Sequence, residues 1–500
     1  MHKNIRILTL WFVFVVFAFI SMFSLIENFA NDPGLGWHMS AGQKILEQQE
    51  IPSKDPFLFF SIDRSWQVEQ WLAEVIFYKL YAIGEWPLLY ALFFSLYIFT
   101  FIYYVYHNLQ FLTLNRIAGV MAALLCFKFA QTHFVLRPVL FSMFFCVLTY
   151  FILLNSSKSK KPIKAGSIFI LLIISILWAN THPSFPLMLV LLTSFLIESA
   201  FKIENRNLFW WALLALSLTF FGTLINPYGY KLYILTYQVV TSNFISKFYQ
   251  EWQPIDWISP EGQLFSISLL IILYFLITKR SYRKELGLFS FILTVLLALW
   301  SIDSRRMLVY YGIVSSYPLA LALKLLLTNI NHKAIKEALN NLELKEPKAI
   351  LIPSLMISST LFFIILLGQD FFKSKQVRYG PSEGRYPYKA LNYIATKPEA
   401  TIKVINEMDW GGFLIWNSKG KIKTFIDDRT ILLGEDFYLN YFKAIKTSKD
   451  FINLAKNNEA DYIILDNKRE IVEDFKLHYS DSVVYNDEIA TIIQINHEKQ

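Results

Sequence analysis

Apolar runs long enough to cross a bilayer recur along the chain up to residue 369 and then stop. A span needs about 20 mostly apolar residues. By that measure eleven segments qualify or come close: 7–26, 87–106, 117–130, 138–154, 167–180, 184–200, 208–225, 263–278, 286–300, 307–328 and 350–369. The first of them is long and lacks a small-x-small cleavage site, so it reads as a span and not as a signal peptide. From 370 onward the period shortens. Ile402–Asn406, Lys423–Asp427, Tyr462–Asp466 and Thr491–Asn496 read as strands, and Pro387–Thr396, Lys449–Asn457 and Glu470–Tyr479 as helices. Alternation of that kind predicts a small α/β domain. The expected fold is an α-helical polytopic membrane protein of about 11 transmembrane helices over 1–369, followed by an α/β domain over 370–500.

Composition agrees. The chain is 55% hydrophobic and only 17% charged, with a mean hydropathy of +0.39. That is too apolar for an ordinary soluble enzyme. The two cysteines, Cys126 and Cys146, both lie in apolar runs and form no metal or redox spacing.

The net charge of +8 is a topology signal. With the N-terminus placed in the cytoplasm, the cytoplasmic loops hold 17 Lys/Arg in 63 residues and the opposite loops 9 in 113. This is the asymmetry that orients plasma-membrane proteins. The excess base therefore calls for no nucleic-acid partner, and the tail falls on the extracytoplasmic side.

The unusual polar residues collect on that same side. The first outer loop, 27–86, carries 9 acids against 4 bases, among them Asp32, Asp55, Glu69 and Glu74, together with His38. It is too long for a mere connector. Other outer positions hold His133, Arg137, Asn180, His182, Asp303, Arg305 and Arg306, and Lys128 stands near the outer end of a span. Carboxylates suit a general base, and arginines suit a lipid phosphate that leaves with its electron pair. Asp32, Asp55 and Glu69 are the catalytic candidates. His38, Arg137, His182, Arg305, Arg306 and Lys128 are the candidates for binding phosphate or sugar. Asp32 and Asp55 could share a divalent cation. Each also has a plainer reading: Asp32 as a helix cap, Asp55 as the turn before Pro56, and the arginines and Lys128 as snorkelling side chains.

An ordered set of short motifs carries a resemblance. It comprises Asp32-Pro-Gly-Leu-Gly-Trp37-His38, Ile51-Pro52-Ser-Lys-Asp55-Pro-Phe57, Trp66-Gln-Val-Glu69-Gln70-Trp71, Arg137-Pro138, Trp178-Ala-Asn180-Thr-His182, Asn226-Pro227-Tyr228-Gly229, Glu251-Trp252, Asp409-Trp410-Gly411-Gly412 and Asp427-Asp428-Arg429. The set is similar to that of bacterial polytopic proteins of the GT-C glycosyltransferase superfamily. The resemblance implies a catalytic acid in the first outer loop and a polyprenyl-phosphate-linked sugar as donor, with a lipid, glycan or protein as acceptor. Gly34 and Gln70 depart from it, standing where that pattern often carries an acid. The rival readings are a transporter or flippase for a lipid-linked sugar, and a non-catalytic envelope scaffold. The absence of a visible repeat, and of polar residues at mid-bilayer, disfavours transport.

Overall fold

The computed structural model describes residues 25–26, 28–60, 65–113, 115–202, 206–328 and 379–496. The chain divides into two compact units. One holds residues 90–134 and 138–370 together with the N-terminus, and the other holds 26–89, 135–137 and 371–500.

The first unit is helical. Among the described residues five helices are long and apolar enough to cross a membrane: Trp71–Thr113, whose first part runs in the second unit, Val139–Ser159, Pro260–Thr278, Arg280–Asp303 and Arg305–Thr328. This is fewer than the eleven expected. The expected span 350–369, and all but the last two residues of 7–26, lie outside the described residues. The others fall on helices. However, Arg116–Gln131 and Pro186–Phe201 have 16 residues and Ala165–Thr181 has 17. At 1.5 Å per residue 16 residues reach only about 24 Å. The 18-residue Arg206–Thr223 helix also falls outside the five.

Burial separates the centre of this unit from its rim. The apolar window of Arg305–Thr328 is 72% buried and that of Pro260–Thr278 only 28%. The central helix packs closely on Arg116–Gln131. Small residues make this possible: a side chain on Gly312 would meet Phe129 Cβ at 2.6 Å.

Arg280–Asp303 is broken at Gly287, whose φ is +75°. A break frees backbone groups that lipid cannot satisfy. Here two side chains satisfy them. Lys158 Nζ donates to the carbonyls of Glu285, at 2.6 Å, and Leu286. Glu198 accepts the N–H of Phe289 at 2.7 Å. Glu198 is in turn held by Ser157 and Lys202, each at 2.6 Å.

The second unit is built on a five-stranded sheet in the order β2-β1-β3-β5-β4. The strands are β1 (Ile402–Asn406), β2 (Ile422–Thr424), β3 (Tyr462–Asp466), β4 (Val483–Asn486) and β5 (Ala490–Gln494). β2, β1 and β3 run parallel, and β5 is antiparallel to both β3 and β4. The 26–89 segment belongs to this unit. Leu58 bridges to Thr424 at the edge of β2, and Phe59 N–H donates to the Thr424 carbonyl at 3.2 Å. The Leu35–Gln48 helix meets the Gly411–Asn417 helix so closely that a Cβ on Gly36 would lie 1.8 Å from the Gly412 carbonyl oxygen. Only glycine fits there.

Candidate functional site

Two polar clusters stand out, one in each unit.

The cluster in the second unit starts at the entry to the Leu35–Gln48 helix. Asp32 Oδ1 accepts the N–H of Gly34 at 2.9 Å, which fixes the carboxylate on its own turn. Arg137 is brought alongside because Leu136 N–H donates to the Phe29 carbonyl at 2.7 Å. Its Nε lies 3.1 Å from Asp32 Oδ2, and its Nη2 donates to Asp428 Oδ2 at 2.8 Å. Trp37 Nε1 donates to the other Asp428 oxygen at 2.7 Å. Two carboxylates thus share one guanidinium, and that trio carries one net negative charge. Both acids are nearly buried, whereas the Arg137 side chain keeps 25% of its surface exposed.

Beneath it lies a second, fully buried set. Arg429 donates to Asp427 at 2.6 Å and to Asp55 at 2.8 Å. Its guanidinium is ringed by Trp66, Trp37 and Phe57 at 4.7, 5.4 and 5.5 Å, a cation–π cage. Burial opposes its charge, but Asp427 and Asp55 more than offset this and its pKa is raised. Burial also raises the Asp427 carboxyl, against the pull of Arg429. Asp55 Oδ2 additionally accepts the N–H of Leu58 at 2.9 Å.

His38 and Glu74 form a further buried pair at 3.0 Å, with Trp37 lying against the imidazole. Glu69 is half-buried. Desolvation raises its carboxyl pKa, against the N–H of its own backbone, the side chain of Gln70 and the charge of Arg429.

The cluster in the first unit gathers around Arg306. Its guanidinium contacts Glu251 and lies 3.5 Å from His182 Nε2, and it packs over the Trp252 ring at 5.0 Å. Glu251 also approaches His133 Nε2 at 3.9 Å. His182 Nδ1 is 2.9 Å from Ser184 Oγ, which is linked to Ser142 and Tyr310. The backbone explains the meeting. Arg305 N–H donates to the Gln253 carbonyl at 3.0 Å and Ile255 N–H to the Ile302 carbonyl at 3.1 Å, so the two loops run together.

The structure thus joins Asp32 to Arg137, and His182 to Arg306. Asp55 goes to Arg429 and not to Asp32, so the two acids expected to share a cation are held by different arginines. Among the described residues no three His, Cys, Asp or Glu side chains gather as a metal-binding group. The placement does not fit a shared ion. Lys128 is exposed and donates to Gln131 at 2.9 Å. Arg305 is half-buried beside Arg306 and contributes its backbone to the loop pairing. Asp428 and Glu251 have no individual role in the sequence reading, which notes them only as the Asp427-Asp428-Arg429 run at the end of a strand, where open α/β sheets place ligands, and as the Glu251-Trp252 pair.

These helices and clusters define an integral membrane protein with a C-terminal α/β region. The fold is similar to that of archaeal oligosaccharyltransferases of known structure. The chain is similar to the archaeal oligosaccharyltransferase AglB from Archaeoglobus fulgidus, solved in complex with an inhibitory peptide and a dolichol-phosphate. The two share 12% identity over 91% of this chain and 69% of that one, with a TM-score of 0.58. It is likewise similar to the Archaeoglobus fulgidus oligosaccharyltransferase tethered to an acceptor peptide containing the NVT sequon, at 13% identity, the same coverage and a TM-score of 0.56. At that identity the likeness is one of fold. No family model and no curated protein matches the sequence.

Proposed function

We propose that this protein is a membrane glycosyltransferase that moves a sugar from a polyprenyl-phosphate carrier to a lipid, glycan or protein acceptor, at the extracytoplasmic face of the plasma membrane. The observation that carries the reading is the Asp32–Arg137–Asp428 trio, a partly open acid–base group on the GT-C-type fold. Asp32 takes the proton of the attacking acceptor group as that group bonds to the anomeric carbon. The bond from that carbon to the phosphate oxygen breaks, and the phosphate leaves with the electron pair. In the other unit Arg306 and His182, with His133 nearby, form a separate group suited to binding a lipid phosphate. Arg137 orients Asp32, while the caged Arg429 with Asp55 and Asp427 fixes the floor beneath.

The test is direct. The purified protein in lipid nanodiscs is offered a panel of polyprenyl mono- and diphosphate sugars, and sugar release is followed by mass spectrometry. Release from at least one donor, lost in Asp32→Asn, supports the reading. Release that is unchanged in Asp32→Asn removes Asp32 from its role.

A further inference from the structure

We infer that Glu251 is an internal counterion that occupies the phosphate site of the empty protein and is displaced by the donor's phosphate. The inference rests on the phosphate-binding reading of Arg306 and His182 and deepens it.

Three groups able to face an anion converge on one carboxylate: Arg306, His133 and, through Arg306, His182. The basic groups are each anchored independently of Glu251. The guanidinium of Arg306 lies against Trp252. His182 is held by Ser184 and the Ser142–Tyr310 web behind it. His133 Nδ1 lies 3.0 Å from Thr132 Oγ1. Loss of the acid would therefore leave the donors where they stand.

Glu251 is the looser partner. It sits on the three-residue turn Gln250–Trp252, and its side chain keeps 30% of its surface exposed. The backbone of its loop is pinned by the Gln253–Arg305 and Ile255–Ile302 bonds. The inferred displacement is a swing of this part-exposed side chain, after which a phosphate monoester takes its place opposite the guanidinium and the imidazoles. Such a device keeps a desolvated cationic pocket neutralised until its ligand arrives.

Binding of farnesyl phosphate to the full-length protein in detergent tests this, by calorimetry on wild type, Glu251→Gln and Arg306→Gln, with farnesol as the uncharged control. Thermal unfolding of each variant checks that it is folded, and Glu251→Ala, which also removes the charge, is used with the same expected result if Glu251→Gln is not. The expected result is about three- to tenfold tighter binding in Glu251→Gln, the range open to one partly exposed ion pair. Arg306→Gln should bind at least tenfold more weakly, and farnesol should respond to neither change. Equal or weaker binding in Glu251→Gln, with binding still lost in Arg306→Gln, overturns the counterion role and leaves the phosphate site standing. Unchanged binding in Arg306→Gln overturns the phosphate site itself.

Discussion

Arg137 and Asp428 lie 291 residues apart in sequence and 2.8 Å apart in space. The contact ties the residue proposed to orient the base to the C-terminal α/β region, so the proposed mechanism makes that region part of the chemistry as well as of the fold. Replacing Asp428 by Asn removes one of two carboxylates from Arg137 while keeping an acceptor for Trp37 Nε1. The variant should stay folded and lose turnover about tenfold or more, with donor binding unchanged. Arg137→Met should do worse, because two neighbouring acids lose their shared cation. Allowing for the part-exposed arginine, the cost is about 1–3 kcal/mol of stability. Steady-state kinetics beside thermal unfolding separates the two effects.

The caged guanidinium should behave as structure. Arg429→Met leaves Asp55 and Asp427 buried without their cation, and breaking a buried pair in this way costs about 3–5 kcal/mol. Asp55→Asn should destabilise by a similar mechanism and reduce activity only in proportion to the folded fraction. Denaturant unfolding of the full chain, set against specific activity per folded molecule, checks this. An Asp55→Asn protein that is fully stable yet inactive would return Asp55 to the catalytic set.

The helix break at Gly287 gives a prediction in the other unit. Lys158 and Glu198 serve opposite sides of the break, so their substitutions should be strongly non-additive. Glu198→Ala leaves the Phe289 N–H and two lysines without their acid and should cost about 2–4 kcal/mol. The Lys158→Met, Glu198→Ala double variant should lose less than the sum. Gly287→Ala should also destabilise, since its φ of +75° strains any side chain and its Cβ would lie 3.1 Å from Lys158 Nζ. Thermal unfolding in detergent reads all four.

Asp487 gives a pH prediction. It closes the β4–β5 hairpin by accepting the N–H groups of Ile489 and Ala490 at 2.7 and 2.8 Å. Burial raises its carboxyl pKa, but those two N–H groups and the Tyr485 hydroxyl more than offset this, and the net shift is downward from 3.8. A depressed acid binds fewer protons folded than unfolded. Its stabilisation is therefore present above about pH 4 and lost as pH falls through the folded value. Asp487→Asn should remove that part of the acid dependence and leave a flatter stability profile below pH 4.

Much of the fold can be read from local pattern, and the limits have physical causes. β1 and β3 begin and end where the β-rich runs predict. β2 ends at Thr424, three residues early, because Asn406 draws the next residues out of the sheet by accepting Phe425 N–H at 3.0 Å and donating to the Ile426 carbonyl at 2.8 Å. β4 has three half-covered residues and one exposed, and too little apolar signal to show. The helices of 16 to 18 residues are mostly apolar, so hydropathy reveals them without fixing whether they span. Within the two clusters, Asp32, Arg137, His182 and Arg306 stand out as polar residues beside apolar runs. Their partners Asp428 and Glu251 do not, because what recruits them is contact across tens to hundreds of residues. The Gly36–Gly412 approach is the same kind of fact: two ordinary glycines whose meaning appears only when their helices cross.

The central claim is that this protein transfers a sugar by means of Asp32, and one measurement tests it most directly. Wild type and Asp32→Asn, both shown to be folded, are incubated with a polyprenyl-phosphate sugar that the wild type turns over, and the released lipid phosphate is quantified. The account predicts a fall of about 10²- to 10⁴-fold in Asp32→Asn with donor affinity unchanged, the range expected for loss of a general base. Equal rates in the two proteins, or no release by wild type from any donor in the panel, would contradict it.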